Sequence, residues 1–433
     1  MFLNRCLGTD EQGALTIGGL SVGQIANDFG TPVYIMDQET IEENCRTFTN
    51  ALETYYDGNG AIAFASKALS ITALYAILKE QGLWCDVVSG GELFTAIKAG
   101  FDPAHMIFHG NSKTKTELDF ALSVGVGRIV VDNIDELMLL NEIAGNINTK
   151  ADICFRLKPG VDAHTHDFIA TGRIDSKFGV AIETGEALAI VKTALSLPNV
   201  NVCGVHCHIG SQIFGVEPFA YTVDVMLRFM AECRDVLGIV LQELNLGGGF
   251  GVRYIEADDP RPLADCIKAS AQAVRQAVAQ YDFPLPKLFF EPGRSLVAEA
   301  GITVYQVMSI KEIPNIRNYA LVDGGMGDNP RRIMYDANYT VLPVARPLAK
   351  ADTQYTVAGR CCESGDIVAE CAMPALKVGE LVCVLSTGAY NYSMANNYNR
   401  VPRPPIVFVK DGKAQLAVRR ETYDDVTACD VAQ

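Results

Sequence analysis

Short apolar runs recur along the chain, and each closes on or beside a residue able to do chemistry: 61–67, 84–89, 106–110, 128–132, 152–157, 200–208, 241–248 and 287–293. Between most neighbours lie segments whose apolar residues repeat at helical spacing, namely 71–81, 92–99, 115–124, 134–144, 186–197, 219–237 and 263–281, with one more helical stretch, 38–56, ahead of the first run. Strands alternating with helices pair in parallel. Eight such units predict a closed (β/α)8, TIM-like barrel, whose functional groups stand at the carboxyl ends of the strands. Lys67, Asp132, Arg156, His208, Gly247-Gly248-Gly249 and Glu291 all fall at those ends.

After Arg294 the texture changes. Segments 302–310, 319–322, 339–344, 354–358, 367–372, 381–385, 406–409 and 414–418 read as strands punctuated by Gly, Pro and Asp-Gly. They predict a C-terminal all-β domain, a barrel or sandwich. Segments 14–17 and 33–36 have the same character, so the β-rich domain is expected to be discontinuous. The division expected is a barrel domain over 30–295 and a β-rich domain from 1–29 plus 296–433. A chain of 433 residues is long enough for two cores.

Hydrophobic residues at 49% and charged residues at 20% describe a globular protein. No run reaches the ~18 apolar residues of a membrane span, and the opening Met-Phe-Leu-Asn-Arg-Cys lacks an apolar signal region, so a cytoplasmic protein is expected. A net charge of −15 removes nucleic acid and anionic membrane from the expected partners. The thirteen cysteines are odd in number and scattered through predicted strands and helices, which favours reduced thiols. No paired CxxC or HExxH motif occurs. Cys203, His206, Cys207 and His208 cluster, but strand alternation sends Cys207 to the face opposite the two histidines, and no metal is expected.

Taken singly, the candidate residues are ambiguous. A lysine ending a strand, as Lys67 does, is usually solvated; desolvated, its amine becomes nucleophilic and suits Schiff-base chemistry. The triple glycine 247–249 either makes a tight turn or lets backbone N–H groups approach a phosphate. His208, leading into Gly210-Ser211, is either a hydrogen-bonded core residue or a site residue. Glu291-Pro292-Gly293-Arg294 joins a carboxylate and a guanidinium across a rigid turn, and surface ion pairing is the alternative. Cys361-Cys362 reads as inert packing on its own.

Taken together they spell a family. Residues 64–68 (Phe-Ala-Ser-Lys-Ala), 86–93, 208–212, 246–250, 291–295, 362–366 and Gly388-Ala389-Tyr390, in that order over almost the whole chain, resemble the alanine-racemase-like, fold type III pyridoxal-phosphate decarboxylases. Within these the likeness is to the diaminopimelate decarboxylases, supported by His164-Thr165-His166-Asp167, Thr171-Gly172 and residues 175–179. The resemblance implies decarboxylation of meso-2,6-diaminopimelate to L-lysine and CO2, the last step of lysine biosynthesis. It implies that Lys67 holds pyridoxal 5'-phosphate covalently and that His208 stacks on its ring. Ser211, Gly248, Gly249, the Glu291, Pro292, Gly293, Arg294 backbone and Tyr390 would hold its phosphate. Glu291 would face the pyridine nitrogen and keep it protonated, making the ring an electron sink. Cys362 would reprotonate the carbanion, supplied by the second subunit of a homodimer with shared sites.

Two places depart from the family pattern. Phe64 and Leu69 flank the lysine where relatives often carry other residues, and the substrate segment reads Asn329-Pro330-Arg331-Arg332-Ile333-Met334-Tyr335, which retains the four-residue offset of Arg331 from Tyr335 but adds Arg332. Arg294 and Arg331 suit the distal carboxylate of diaminopimelate, and Glu363 its distal ammonium, with Tyr335 and Tyr390 alongside. Ornithine and arginine lack that carboxylate. A basic amino acid decarboxylase of the ornithine or arginine type and a non-catalytic binding relative are the alternatives.

Overall fold

The structure is a computed structural model that describes residues 2–160 and 176–431. Eight parallel strands form a barrel: β1 (Gly60–Ala65), β2 (Trp84–Val87), β3 (Met106–Phe108), β4 (Arg128–Val131), β5 (Ala151–Lys158), β6 (Val200–His206), β7 (Glu243–Asn245) and β8 (Lys287–Phe290). β8 pairs with β1 and β4 pairs with β5, so the sheet closes without an edge. The helices follow the expected periodicity closely, and Lys115–Val124 matches it at both ends. There Thr114 and Glu117 form a reciprocal capping box and left-handed Gly125 ends the helix, so the local sequence alone specifies both boundaries.

The barrel interior is layered. Ala63, Ile107, Val130, Cys154 and Phe289 pack into one apolar cluster, with Trp84 and Cys203 against it. Side chains alternate along a strand, so the next inward position lies two residues on. That step changes the chemistry from apolar to polar: it reaches Asp86, His109, Asp132, Arg156 and Glu291, and on β6, past an irregularity between Val202 and Gly204, His206. An apolar floor therefore lies under a ring of titratable groups at the carboxyl ends.

The second unit is β-rich. Its long strand β9 (Gly301–Ile313) pairs with Arg317–Val322, with Leu381–Val384 and with Val33–Asp37. Val33–Asp37 is hydrogen-bonded on its other side to Ile406–Lys410, in parallel. The sheet runs Ile367–Met373, Thr353–Ala358, Arg317–Val322, β9, Val33–Asp37, Ile406–Lys410, Lys413–Val418. Ile17, Val33, Ile35, Val304, Cys383 and Val407 are buried in its core.

The two compact units are Asn44–Gly251 with Pro260–Ser295, and Met1–Glu43 with Val252–Asp259 and Leu296–Gln433. The first boundary thus falls at residue 44 rather than 30, because Val33–Asp37 has both of its strand partners in the β-rich unit. Val252–Asp259 joins that unit as well; the Tyr254 carbonyl accepts from the Thr340 amide at 3.2 Å.

Candidate active site

Glu291 lies one residue beyond β8, and its carboxylate meets three buried side chains at the barrel mouth. His109, just past β3, meets Oε1 through Nε2 at 2.8 Å. Asn245, ending β7, donates to the same oxygen from Nδ2 at 2.6 Å. His206, ending β6, meets Oε2 through Nε2 at 3.0 Å. All four residues are buried. Burial by itself would raise the Glu291 pKa, but His109 and His206 hold it well below the ordinary carboxylate range. Burial lowers His206 to about 4, so its ring is neutral at pH 7. The nearby Asp86 carboxyl is raised to about 6, chiefly by burial, with His109 opposing. Ligand atoms of His109, His206 and Glu291 lie within 4.8 Å of one another, a grouping not expected from the Cys203–His208 cluster because its members come from three strands.

Lys67 sits on a single 3-10 turn, Ser66–Ala68, immediately after β1. It is exposed, whereas its neighbours Ser66 and Ala68 are buried. The turn is tied to the one that follows β8: the Ala65 amide donates to the Pro292 carbonyl at 3.1 Å. A Cβ on Gly293 would stand 3.0 Å from Ala65 Cβ and 3.1 Å from Ala68 Cβ, so glycine permits this close approach.

The glycines after β7 serve a second purpose. The Gly248 amide donates to His208 Nδ1 at 3.3 Å and orients the imidazole. Burial, then the positive charges of Lys67 and Arg156, hold His208 well below the ordinary histidine range. Gly249 has φ +108, and a Cβ there would lie 2.4 Å from the Gly210 carbonyl oxygen. Arg294 and Ser211, from different loops, meet at 3.0 Å between Nη2 and Oγ. Glu291 and Arg294 are both buried rather than paired on the surface.

Arg156 stacks over the Phe178 ring, 4.3 Å from its centroid, and Asp132 accepts from the Gly179 amide at 2.9 Å. Of the motif 164–179, Phe178 and Gly179 thus rest on the polar ring of the barrel; His164 to Asp167, Thr171, Gly172 and Asp175 lie outside the described residues.

The other expected residues belong to the β-rich unit. Arg331 is buried, donates to the Tyr339 hydroxyl at 2.8 Å and lies 4.9 Å from the Tyr254 ring centroid and 5.9 Å from that of Tyr335. Arg332 turns instead to Asp336 at 2.9 Å and Glu370 at 3.2 Å, which separates the two adjacent arginines by environment. Tyr390 has φ +62. Cys362 and Glu363 are exposed, and the Cys362 amide donates to Asn399 Oδ1 at 2.8 Å.

At the barrel mouth a lysine amine, a hydrogen-bonded carboxylate, an imidazole and a guanidinium with a hydroxyl beside it suit, respectively, an aldehyde, a protonated ring nitrogen, an aromatic face and a phosphate dianion. That donor set fits pyridoxal phosphate. Residues 38–298 match the family model described as the pyridoxal binding domain of pyridoxal-dependent decarboxylases. The diaminopimelate decarboxylase of Halalkalibacterium halodurans is 45% identical over 100% of this chain and 98% of its own length. That of Bacillus subtilis is 43% identical over the same shares, 100% and 98%. The crystal structure of diaminopimelate decarboxylase from M. jannaschii in co-complex with L-lysine superposes with a TM-score of 0.92 at 34% identity, over 100% of this chain and 99% of that one. The fold and the donor set define a pyridoxal-phosphate-dependent carboxy-lyase. The chain belongs to the diaminopimelate decarboxylase family.

His109 and Asn245 were not among the expected site residues. Both lie in the carboxyl-terminal halves of predicted strands, 106–110 and 241–248, the one signal available; the carboxylate that brings them together is reached only across the closed barrel.

Proposed function

We propose that the residues at the barrel mouth and in the β-rich unit divide the reaction of this family among them as follows. The reaction is decarboxylation of meso-2,6-diaminopimelate to L-lysine and CO2. Bound pyridoxal phosphate supplies the electron sink for the bond that breaks. Lys67 anchors it, and His208, held by the Gly248 amide, covers one face of its ring. Arg294 and Ser211, with Gly248, Gly249 and Tyr390, receive its phosphate. Glu291 faces the ring nitrogen. Arg331 and Tyr335, with Arg294 and Glu363, read the distal end of the substrate, and Cys362 returns a proton to it. The protein works in the cytoplasm as a homodimer, with Cys362 and Glu363 of one copy completing the site around Lys67 of the other; both residues are exposed and so open to a second copy.

The observation that carries this reading is that Lys67, His208, Glu291 and Arg294 stand at one end of one closed barrel, on the three separate loops that follow β1, β6 and β8. Substrate choice rests on Arg331: buried among Tyr254, Tyr335 and Tyr339, it suits an anion and opposes a bare ammonium. Purified protein with pyridoxal phosphate should release CO2 and L-lysine from meso-diaminopimelate, with little turnover of ornithine or arginine. Equal turnover of ornithine would contradict the role given to the arginines.

A further inference from the structure

Glu291 receives hydrogen bonds from three strand ends, and their directions can be assigned. The Gly247 amide donates to Asn245 Oδ1 at 2.9 Å, which fixes the amide so that Nδ2 points to Glu291 Oε1. An amide NH2 only donates, so Oε1 accepts. A neutral imidazole carries one N–H, and both histidines meet the carboxylate through Nε2. Among the described residues His206 Nδ1 is buried with no hydrogen-bond partner, which leaves Nε2 as the nitrogen that holds the ring in place. His109 and His206 lie edge to face, centroids 4.6 Å apart, so each also limits the rotation of the other.

We propose that His109, His206 and Asn245 are positioning residues that keep Glu291 an anion in one rotamer, so that the proton shared with the ring nitrogen of bound pyridoxal phosphate stays on the ring. The proposal rests on the assignment of Glu291 to that nitrogen. A shared proton resides on the more basic partner, and every N–H given to a carboxylate makes it less basic. Unclamped in so dry a place, Glu291 would take the proton itself, because burial favours its neutral form. The titratable or charged groups bearing on it are Asp86 from β2, His109 from β3, Arg156 from β5, and His206, Cys207 and His208 from β6 and its end.

The test loads the protein with pyridoxal phosphate carrying 15N in its ring and follows ring and histidine nitrogens by NMR over pH. In the wild type the ring nitrogen should be protonated at neutral pH, with His109 and His206 both carrying hydrogen on Nε2. His109→Phe and His206→Phe should each lower the pH at which the ring nitrogen loses its proton by about one unit or more. They should lower kcat about tenfold or more while KM stays within about threefold, and His109→Gln, which keeps a donor, should recover most of both. An unchanged ring titration in both Phe variants would overturn the proposal. So would a wild-type spectrum with hydrogen on Nδ1 and none on Nε2 of either histidine, a result that needs no variant to fold. Failure of the underlying assignment looks different: Glu291→Gln would leave the ring nitrogen protonated as in the wild type.

Discussion

Neutral, buried histidines give the barrel mouth a defined acid sensitivity. An unfolded chain protonates histidine below about pH 6.5, whereas His206 resists protonation down to about 4. Between those values the unfolded state binds the additional proton, so stability falls as pH falls through that window. His208 acts in the same direction. Asp86 acts in the opposite one: its native carboxyl takes up a proton near pH 6, before the unfolded carboxyl does, which adds stability on acidification. His206→Gln, which keeps an N–H for Glu291 but cannot titrate, should therefore show a smaller drop in thermal midpoint than the wild type between about pH 6.5 and 5. Equal drops by calorimetry would mean that His206 is not the neutral, buried group described. At this scale the positions of His208, Glu291 and Lys67 at the carboxyl ends of barrel strands were readable in the sequence. His109 and Asn245 have the position, but their role depends on a partner across the barrel, and no local pattern encodes that.

Elements were legible where local physics decides them. The helix Lys115–Val124 carries its own start and stop signals, and the alternation of apolar runs with helices predicted the closed parallel barrel. Val33–Asp37 was readable as a strand, but its partners β9 and Ile406–Lys410 are hundreds of residues away in sequence, so pattern alone misassigned the boundary at residue 30. Close approach between elements was likewise hidden. A Cβ on Gly248 would lie 2.1 Å from the Glu291 carbonyl oxygen, and one on Gly204 would lie 2.1 Å from that of Glu243. Both backbones would have to shift. Gly204→Ala and Gly248→Ala should each cost about 1–3 kcal/mol of stability. Only Gly248→Ala should also weaken pyridoxal phosphate binding, by about tenfold or more, because its shift moves the His208 and Glu291 supports while Gly204 lies inside β6. Equal cofactor affinity in the two variants, read by fluorescence titration, would remove Gly248 from the cofactor site.

For the whole molecule, the central claim is that a lysine from the barrel unit and a cysteine from the β-rich unit serve one reaction centre contributed by two copies. Composition constrained this scale least: a net charge of −15 selects no partner, and among the described residues no helix is long and apolar enough to cross a membrane. The family motifs carried the expectation of shared sites, since periodicity is blind to subunit exchange. In a closed two-fold dimer, a mixed pair of Lys67→Ala and Cys362→Ala chains has one site with both defects and one with neither. Random exchange makes about half of all dimers mixed, so activity should rise from near zero in each parent to roughly a quarter of wild type. The measurement is lysine formation from meso-diaminopimelate by the two inactive variants, alone and after mixing, with exchange followed by native mass spectrometry. Recovery near that fraction is the predicted result, and no recovery despite confirmed exchange would contradict the account.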